Sequence, residues 1–310
     1  MACHIAAASS GGSARRVLPG ATPQRLSDIT NGIWMCFRHG KLIDADEETF
    51  TIPILETWRE IAELKAKLRH ELGREVSLDP ARMEDFRLPD AQIPIPGLAG
   101  ENALIGDALR YSCLADIWGK DVADAVRDSC IELIRNAFAH GAARVVRLLI
   151  SASSVTIEDD GSAFNSNQLR HSPTGGGGAS LKIIAEQFRS TVIFSCKRVG
   201  ASNHNTFTFI RKAEDLSQFS PCTVSLTFEE VHAGRTSAQV VEGCDVTYVV
   251  LPPYFALSDV LKLPQLIATA FPKREGREVV LVTTRLSAGA IQLIGQYVPH
   301  IEIINLGDAA

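Results

Sequence analysis

No stretch of this 310-residue chain approaches the roughly 20 uninterrupted apolar residues that a membrane-spanning helix needs. Nor is there a surplus of positive charge: 31 Lys and Arg stand against 36 Asp and Glu, for a formal net charge of -5 and a pI of 5.9. That balance argues against a nucleic-acid surface wrapped over the whole protein. The cysteines Cys3, Cys36, Cys113, Cys130, Cys196, Cys222 and Cys244 lack the paired spacings of a zinc site or a dense disulfide scaffold, so a reducing, cytoplasmic setting is expected. Residues 1–27 carry no acid, only arginines among many small residues, which is the composition of a disordered tail or a transit peptide. Because no apolar face repeats there at helical spacing, the tail is the preferred reading, with organelle import as the alternative. The glycine run Gly175 to Gly178 is not followed by Gly-Lys-Ser/Thr, so no Walker-type phosphate loop is present.

What the chain does have is 45% apolar residues over a length sufficient for two domains and a small third. After the tail, residues 28–100 read as an N-terminal hairpin-helix region and linker. "GIWMCFRHGKLIDADEETFTIP" suggests two extended segments about a His39-Gly40 turn. The next segment spaces Ile54, Leu55, Trp58, Ile61, Leu64 and Leu68 for one apolar helix face, with Gly73 as its C-terminal cap. That helix is expected to pack on the hairpin or on a copy of itself. Prolines and acids between Asp79 and Gly100 read as an extended connector. Residues 101–215 then alternate helical and extended text: two helices, strands at "RVVRLLIS" and "SVTIEDD", a helix at "ASLKIIAEQF", and strands at "STVIFSC" and "TFTFI". In residues 216–310, the apolar runs "DVTYVVLP", "EVVLVT" and "IEIINLG" are separated by helical text, which favours a small α/β domain with parallel strands.

The chemistry is concentrated in residues 130–178. Glu132, Asn136 and His140 fall at i, i+4 and i+8, along one side of a helix whose apolar stripe includes Val122, Val126, Ile134 and Phe138. An amide oxygen such as that of Asn136 suits Mg²⁺, and a carboxylate one turn earlier can orient an attacking water. The plainer reading is a solvated polar face. In "SVTIEDD", two-residue alternation puts Val155, Ile157 and Asp159 on one face, so a buried apolar pair carries the aspartate inward, where it needs a donor. Asp160 has the opposite parity and reads as a turn residue before Gly161. The run Gly175, Gly176, Gly177 and Gly178 precedes an apolar helix, where backbone N–H groups can approach a phosphate. A flexible loop is the alternative.

Taken in order, "ELIRNAFAHG", "IEDDGSAF", "TGGGGASLKII" and "NTFTFI" resemble the N box, the two glycine boxes and the closing strand of the GHKL ATPase superfamily. The likeness is closest to short-lid sensor histidine kinases and anti-sigma-factor serine kinases. It implies an α/β fold class, the GHKL (Bergerat) two-layer sandwich, over residues 101–215. It also implies ATP and Mg²⁺ as ligands, with slow hydrolysis or kinase-like transfer that regulates a protein partner; a homodimer is left open. By the same resemblance Glu132 is the water-orienting base, Asn136 the magnesium ligand, and His140 a position often histidine in the kinases. Asp159 reads adenine, Gly161 shapes the base pocket, Gly175 to Gly178 hold phosphate, and Thr206 joins a water network behind the base. Ala163 and Ala139 depart from the family pattern. A non-catalytic nucleotide-binding scaffold or interaction module is the alternative. Residues 216–310 faintly resemble STAS-like domains. "LRHELGREV" around His70 resembles a phospho-acceptor box, but the proline-rich text beyond it leaves no room for a second long helix, so His70 reads as a surface residue.

Overall fold

A computed structural model describes residues 1–9, 14–74, 78, 80–171, 176–253, 257–271, 278–284, 286–299 and 301–306. Two compact units interleave along the chain: residues 1–92, 106–123 and 150–152 form one, and 93–105, 124–149 and 153–310 the other.

In the first unit the expected tail is corrected. Strand β1 (Ala2–His4) pairs antiparallel with β2 (Gly32–Trp34), the short helix α1 (Pro23–Ser27) lying between them in sequence. Ile5 and Ala6 are buried, and their backbone N–H groups bond to the backbone and side chain of Asn31. Apolar Cys3 and Ile5 supply the burial that tail composition obscured.

The expected hairpin is corrected as well, because Phe37–Ala45 forms helix α2. Gly40, taken for a turn, lies inside this helix and permits close packing: a Cβ there would come within 2.9 Å of Met1 Sδ and 3.0 Å of Cys3 Sγ. Helix α3 (Ile52–Leu72) ends at Gly73, whose φ of 65° supplies the left-handed cap the sequence implied. Phe50, Trp58 and Tyr111 close this core in tilted and edge contacts.

The proline-rich connector contains a strand, β3 (Ala91–Ile95), at the edge of a five-stranded sheet, a position where Pro94 is tolerated. Helices α4 (Glu101–Tyr111), α5 (Leu114–Trp118) and α6 (Lys120–Ala139) follow, then β4 (Val146–Ser151) and β5 (Ser154–Asp159). Helix α7 (Gly176–Gln187) leads into β6 (Val192–Val199) and β7 (Ser202–Phe209), giving the sheet order β3-β4-β5-β7-β6. Both β6 and β7 run further than expected. They meet in a two-residue loop in which Gly200, at φ 58°, takes the positive φ that such loops require.

Helix α8 (Ala213–Phe219), β8 (Thr223–Ser225), α9 (Phe228–Ala233), β9 (Val246–Val250), α10 (Leu257–Val260), α11 (Leu263–Ala270), β10 (Glu278–Thr283), α12 (Ala288–Tyr297) and β11 (Glu302–Asn305) complete the chain. The expected parallel strands are present in the order β11-β10-β9-β8, β8 being a fourth that the sequence reading missed. One side of this second sheet buries Val249 and Leu281 against Leu263, Ile267 and Ile294 of the helices. On the other, Val246, Tyr248 and Val280 pack with Ile193 and Ile210, and Tyr248 donates to the Phe194 carbonyl at 2.7 Å. The architecture is therefore mixed α/β. Among the described residues no helix is long and apolar enough to cross a membrane.

The cysteine reading is also corrected. Cys222 and Cys244, 22 positions apart and both buried, form a disulfide. This removes the ground on which a reducing setting was expected. Replacing both by alanine should lower stability in urea unfolding by about 2–4 kcal/mol, the usual worth of a loop of that size.

Candidate functional site

Helix α6 buries Val126, Ser129, Cys130, Leu133 and Ile134, which rotates Glu132 and Asn136 to a half-buried flank. Glu132 Oε2 accepts from Ser180 Oγ at 2.9 Å, and Ser180 is itself buried on α7. The Asn136 amide makes no hydrogen bond to any described residue. His140 follows the last helical residue and is exposed, so it does not continue the row that helical spacing suggested.

Burial pushes the Glu132 carboxyl above its usual range, and Asp128 adds to this; the Ser180 bond and Arg135 oppose it. A raised folded-state pKa for an acid stabilises the fold fully only below the unfolded value near 4.3, and that stabilisation is lost as pH rises through the folded value. At neutral pH the ionised carboxylate is thus a destabilising group. Glu132→Gln should accordingly raise the melting temperature at neutral pH, and the gain should shrink as pH falls and vanish well below the unfolded-state pKa of about 4.3, where the glutamate too is uncharged. Melts across that pH range check this.

Strand parity holds at Asp159, which is 4% exposed and faces inward with Val155 and Ile157. Its Oδ1 accepts from Gly161 N–H at 2.9 Å and from Asn203 Nδ2 at 2.8 Å, while no described residue donates to Oδ2. Asn203 lies directly across from Asp159 in the β5–β7 register and across from Arg198 in the β6–β7 register. Arg198 Nη1 donates to Asn203 Oδ1 at 2.6 Å and to the Gly161 carbonyl at 2.8 Å. Gly161 is tightly enclosed: a Cβ there would come within 2.9 Å of both Gly141 O and Asp159 Oδ1. Ser162 N–H bonds Gly141 O at 2.8 Å, tying the acidic turn to the end of α6. Asp160 does more than fill a turn, since its Oδ1 accepts from the backbone N–H groups of Arg144 and Val145 at 2.7 and 2.9 Å. Those bonds, that of Val145 first, hold its carboxyl below the usual range.

The remaining expectations divide. Gly175 lies outside the described residues, while Gly176, Gly177 and Gly178 form the first turn of α7 instead of a loop before it. Thr206 pairs with Thr156, its hydroxyl 3.0 Å from that of Thr156, on the sheet face opposite Asp159. Beside Asn203, a second buried polar residue on the Asp159 face is Asn205, whose Oδ1 has no partner among the described residues. Reading "SNHNTFTF" in steps of two would have found Asn203 and Asn205; Arg198 and Ser180 give no comparable signal. Among the described residues no group of three or more His, Cys, Asp or Glu is placed to hold a metal ion. A single amide oxygen such as that of Asn136 therefore fits a magnesium ion whose other ligands are water and phosphate, not a caged one. Comparison of the chain with family models, with curated proteins and with solved structures gives no match.

Proposed function

We propose that this chain is a GHKL-type nucleotide-binding protein that takes up Mg²⁺-ATP, hydrolyses it slowly or transfers its terminal phosphoryl group, and uses the bound state to regulate a protein partner. One observation carries the reading: Asp159 is buried with one carboxylate oxygen held by two donors and the other without any among the described residues. A carboxylate oxygen of a buried residue that has no donor among the described residues is open to one from a ligand, and the exocyclic amine of adenine is such a donor. In this reading Gly161 lets the chain turn closely against Asp159 Oδ1 and Gly141 O, which holds the carboxylate in place for the base, and Asn136 supplies one oxygen to Mg²⁺. Glu132, bonded to Ser180 and with its carboxyl raised by burial above the usual range, takes a proton from the attacking group. Mg²⁺ held at Asn136 would supply neutralisation of phosphate charge. The first turn of α7 is glycine-rich, and a helix start, whose N–H groups have no partner within the helix, supports phosphate binding there.

A non-catalytic scaffold has one observation in its favour, the prior engagement of Glu132 by Ser180. Incubation with terminally labelled ATP, followed by separation of free phosphate from labelled protein, distinguishes hydrolysis, transfer and binding alone. Asn136→Ala should abolish most of the magnesium dependence of ATP affinity while leaving the melting temperature within a few degrees, because the side chain is half-buried and makes no hydrogen bond to a described residue. Titrations with and without Mg²⁺ check it; unchanged magnesium-dependent affinity would remove Asn136 from the metal.

A further inference from the structure

The N-terminal unit contains a cleft of about 790 Å³ that none of the proposed nucleotide-site residues lines. Arg38, His39, Lys41 and Arg110 line it together with the aromatic side chains Trp58 and Tyr111, and no carboxylate does. The wall is fixed: Trp58 Nε1 donates to the Tyr111 carbonyl at 2.8 Å and the two rings lie 5.9 Å apart. Arg110 is shared with Asp107 at 2.7 Å. Arg38 and Lys41 form no ion pair with any described carboxylate, Lys41 lying 4.5 Å over the Phe37 ring. In a chain of net charge -5, two cations without a carboxylate partner among the described residues, beside Arg110 and an aromatic wall, suit an anionic ligand.

A nucleophile stands beside this cleft. Cys36 immediately precedes α2, and its Sγ is 3.0 Å from Nδ1 of His39, one of the lining residues. It is exposed, whereas the other free cysteines, Cys3, Cys113, Cys130 and Cys196, are buried. Burial pushes the Cys113 thiol up to about 12 and the Cys196 thiol to about 11, while hydrogen bonds from His39, its backbone N–H first, lower that of Cys36.

We propose that the cleft binds small carboxylate-bearing disulfides and presents them to Cys36, which exchanges with them to form a mixed disulfide. The Cys36 thiolate attacks one ligand sulfur, the ligand S–S bond breaks as the new one forms, and the other half leaves as a thiolate that takes up a proton from solvent. The ligand is the oxidant, and Cys36 is oxidised. Arg38 and Lys41 attract the carboxylates, and hydrogen bonding from His39 favours the thiolate form of Cys36. The N-terminal unit thereby gains a reversible modification site independent of the nucleotide reading.

The test compares exchange by the folded full chain with dianionic dithiobis-nitrobenzoate and with dicationic cystamine at low salt. Each rate is divided by that of the urea-unfolded chain, and the modified residue is located by peptide mass. Cys36 should react first, and the normalised rate should favour the anionic reagent by at least about tenfold, an advantage that salt diminishes. In the Arg38→Gln/Lys41→Gln variant, whose altered side chains are exposed, the preference should fall toward unity with the melting temperature unchanged. Equal normalised rates in the wild type, a preference that survives in the variant, or first reaction at another cysteine would each overturn the proposal.

Discussion

Glu132→Gln is expected to leave ATP affinity within a few-fold while lowering any phosphate release or transfer by about 10²–10⁴, the usual worth of a positioned general base. The substitution keeps the shape and still accepts from Ser180 Oγ, so the contact between α6 and α7 persists. What it removes is the proton acceptor, whose affinity for a proton burial has already raised. The same variant should be more thermally stable than the wild type at neutral pH, as the pKa direction requires. A variant that loses turnover while gaining stability is the signature of a carboxylate kept for chemistry at a cost to the fold. Turnover at the wild-type rate would take Glu132 out of the reaction. A wild type without turnover would favour the scaffold reading and leave Glu132 as a link to Ser180.

The second large effect is at Asp159. Replacement by Asn preserves the carbonyl oxygen that Gly161 N–H and Asn203 Nδ2 bond, so the turn and the β5–β7 contact should survive. The other carboxylate oxygen becomes an NH₂ group, which places a donor against the donor of adenine. Affinity for ATP should drop by roughly 1–3 kcal/mol, or about 5- to 150-fold, the cost of a badly paired buried group. Asp159→Ala, by contrast, leaves Asn203 Nδ2 and Gly161 N–H without their shared acceptor, so it should lower the melting temperature as well as the affinity. Titration and melting of both variants separate a ligand contact from a structural one. If Asp159→Asn binds ATP as the wild type does, the aspartate serves the turn alone.

How much of this was legible in the sequence depends on the range over which each signal acts. The periodicity of α3, its Gly73 cap, and the inward parity of Asp159 are local properties of the backbone, and they hold in the structure. The parallel order of β9, β10 and β11 followed from strand-helix alternation. Signals that depend on distant partners were misread. Gly40 looked like a turn because its reason for being glycine is the proximity of Met1 and Cys3, more than 35 positions away. The tail pairs with residues near position 33, which composition does not reveal. Cys222 and Cys244 are brought together by the β8–β9 connection, and their spacing alone gave no warning.

Thr206 shows the limit of reading by motif order. The resemblance placed it by motif position, whereas the β5–β7 register gives its neighbour Asn205 the face that Asp159 occupies. Ser180 and Arg198 act on Glu132 and Gly161 from other elements, and no spacing within one segment predicts that.

The central claim is that Asp159 and the enclosed Gly161 form a site that selects adenine, and calorimetric titration of the wild-type chain with Mg²⁺-ATP and with Mg²⁺-GTP tests it most directly. Guanine presents a carbonyl where adenine presents its amine, so Asp159 would face an acceptor. The account predicts ATP binding at least about tenfold tighter than GTP binding, the equivalent of one mispaired hydrogen bond. Equal affinity for the two nucleotides, or no binding of ATP, would contradict it.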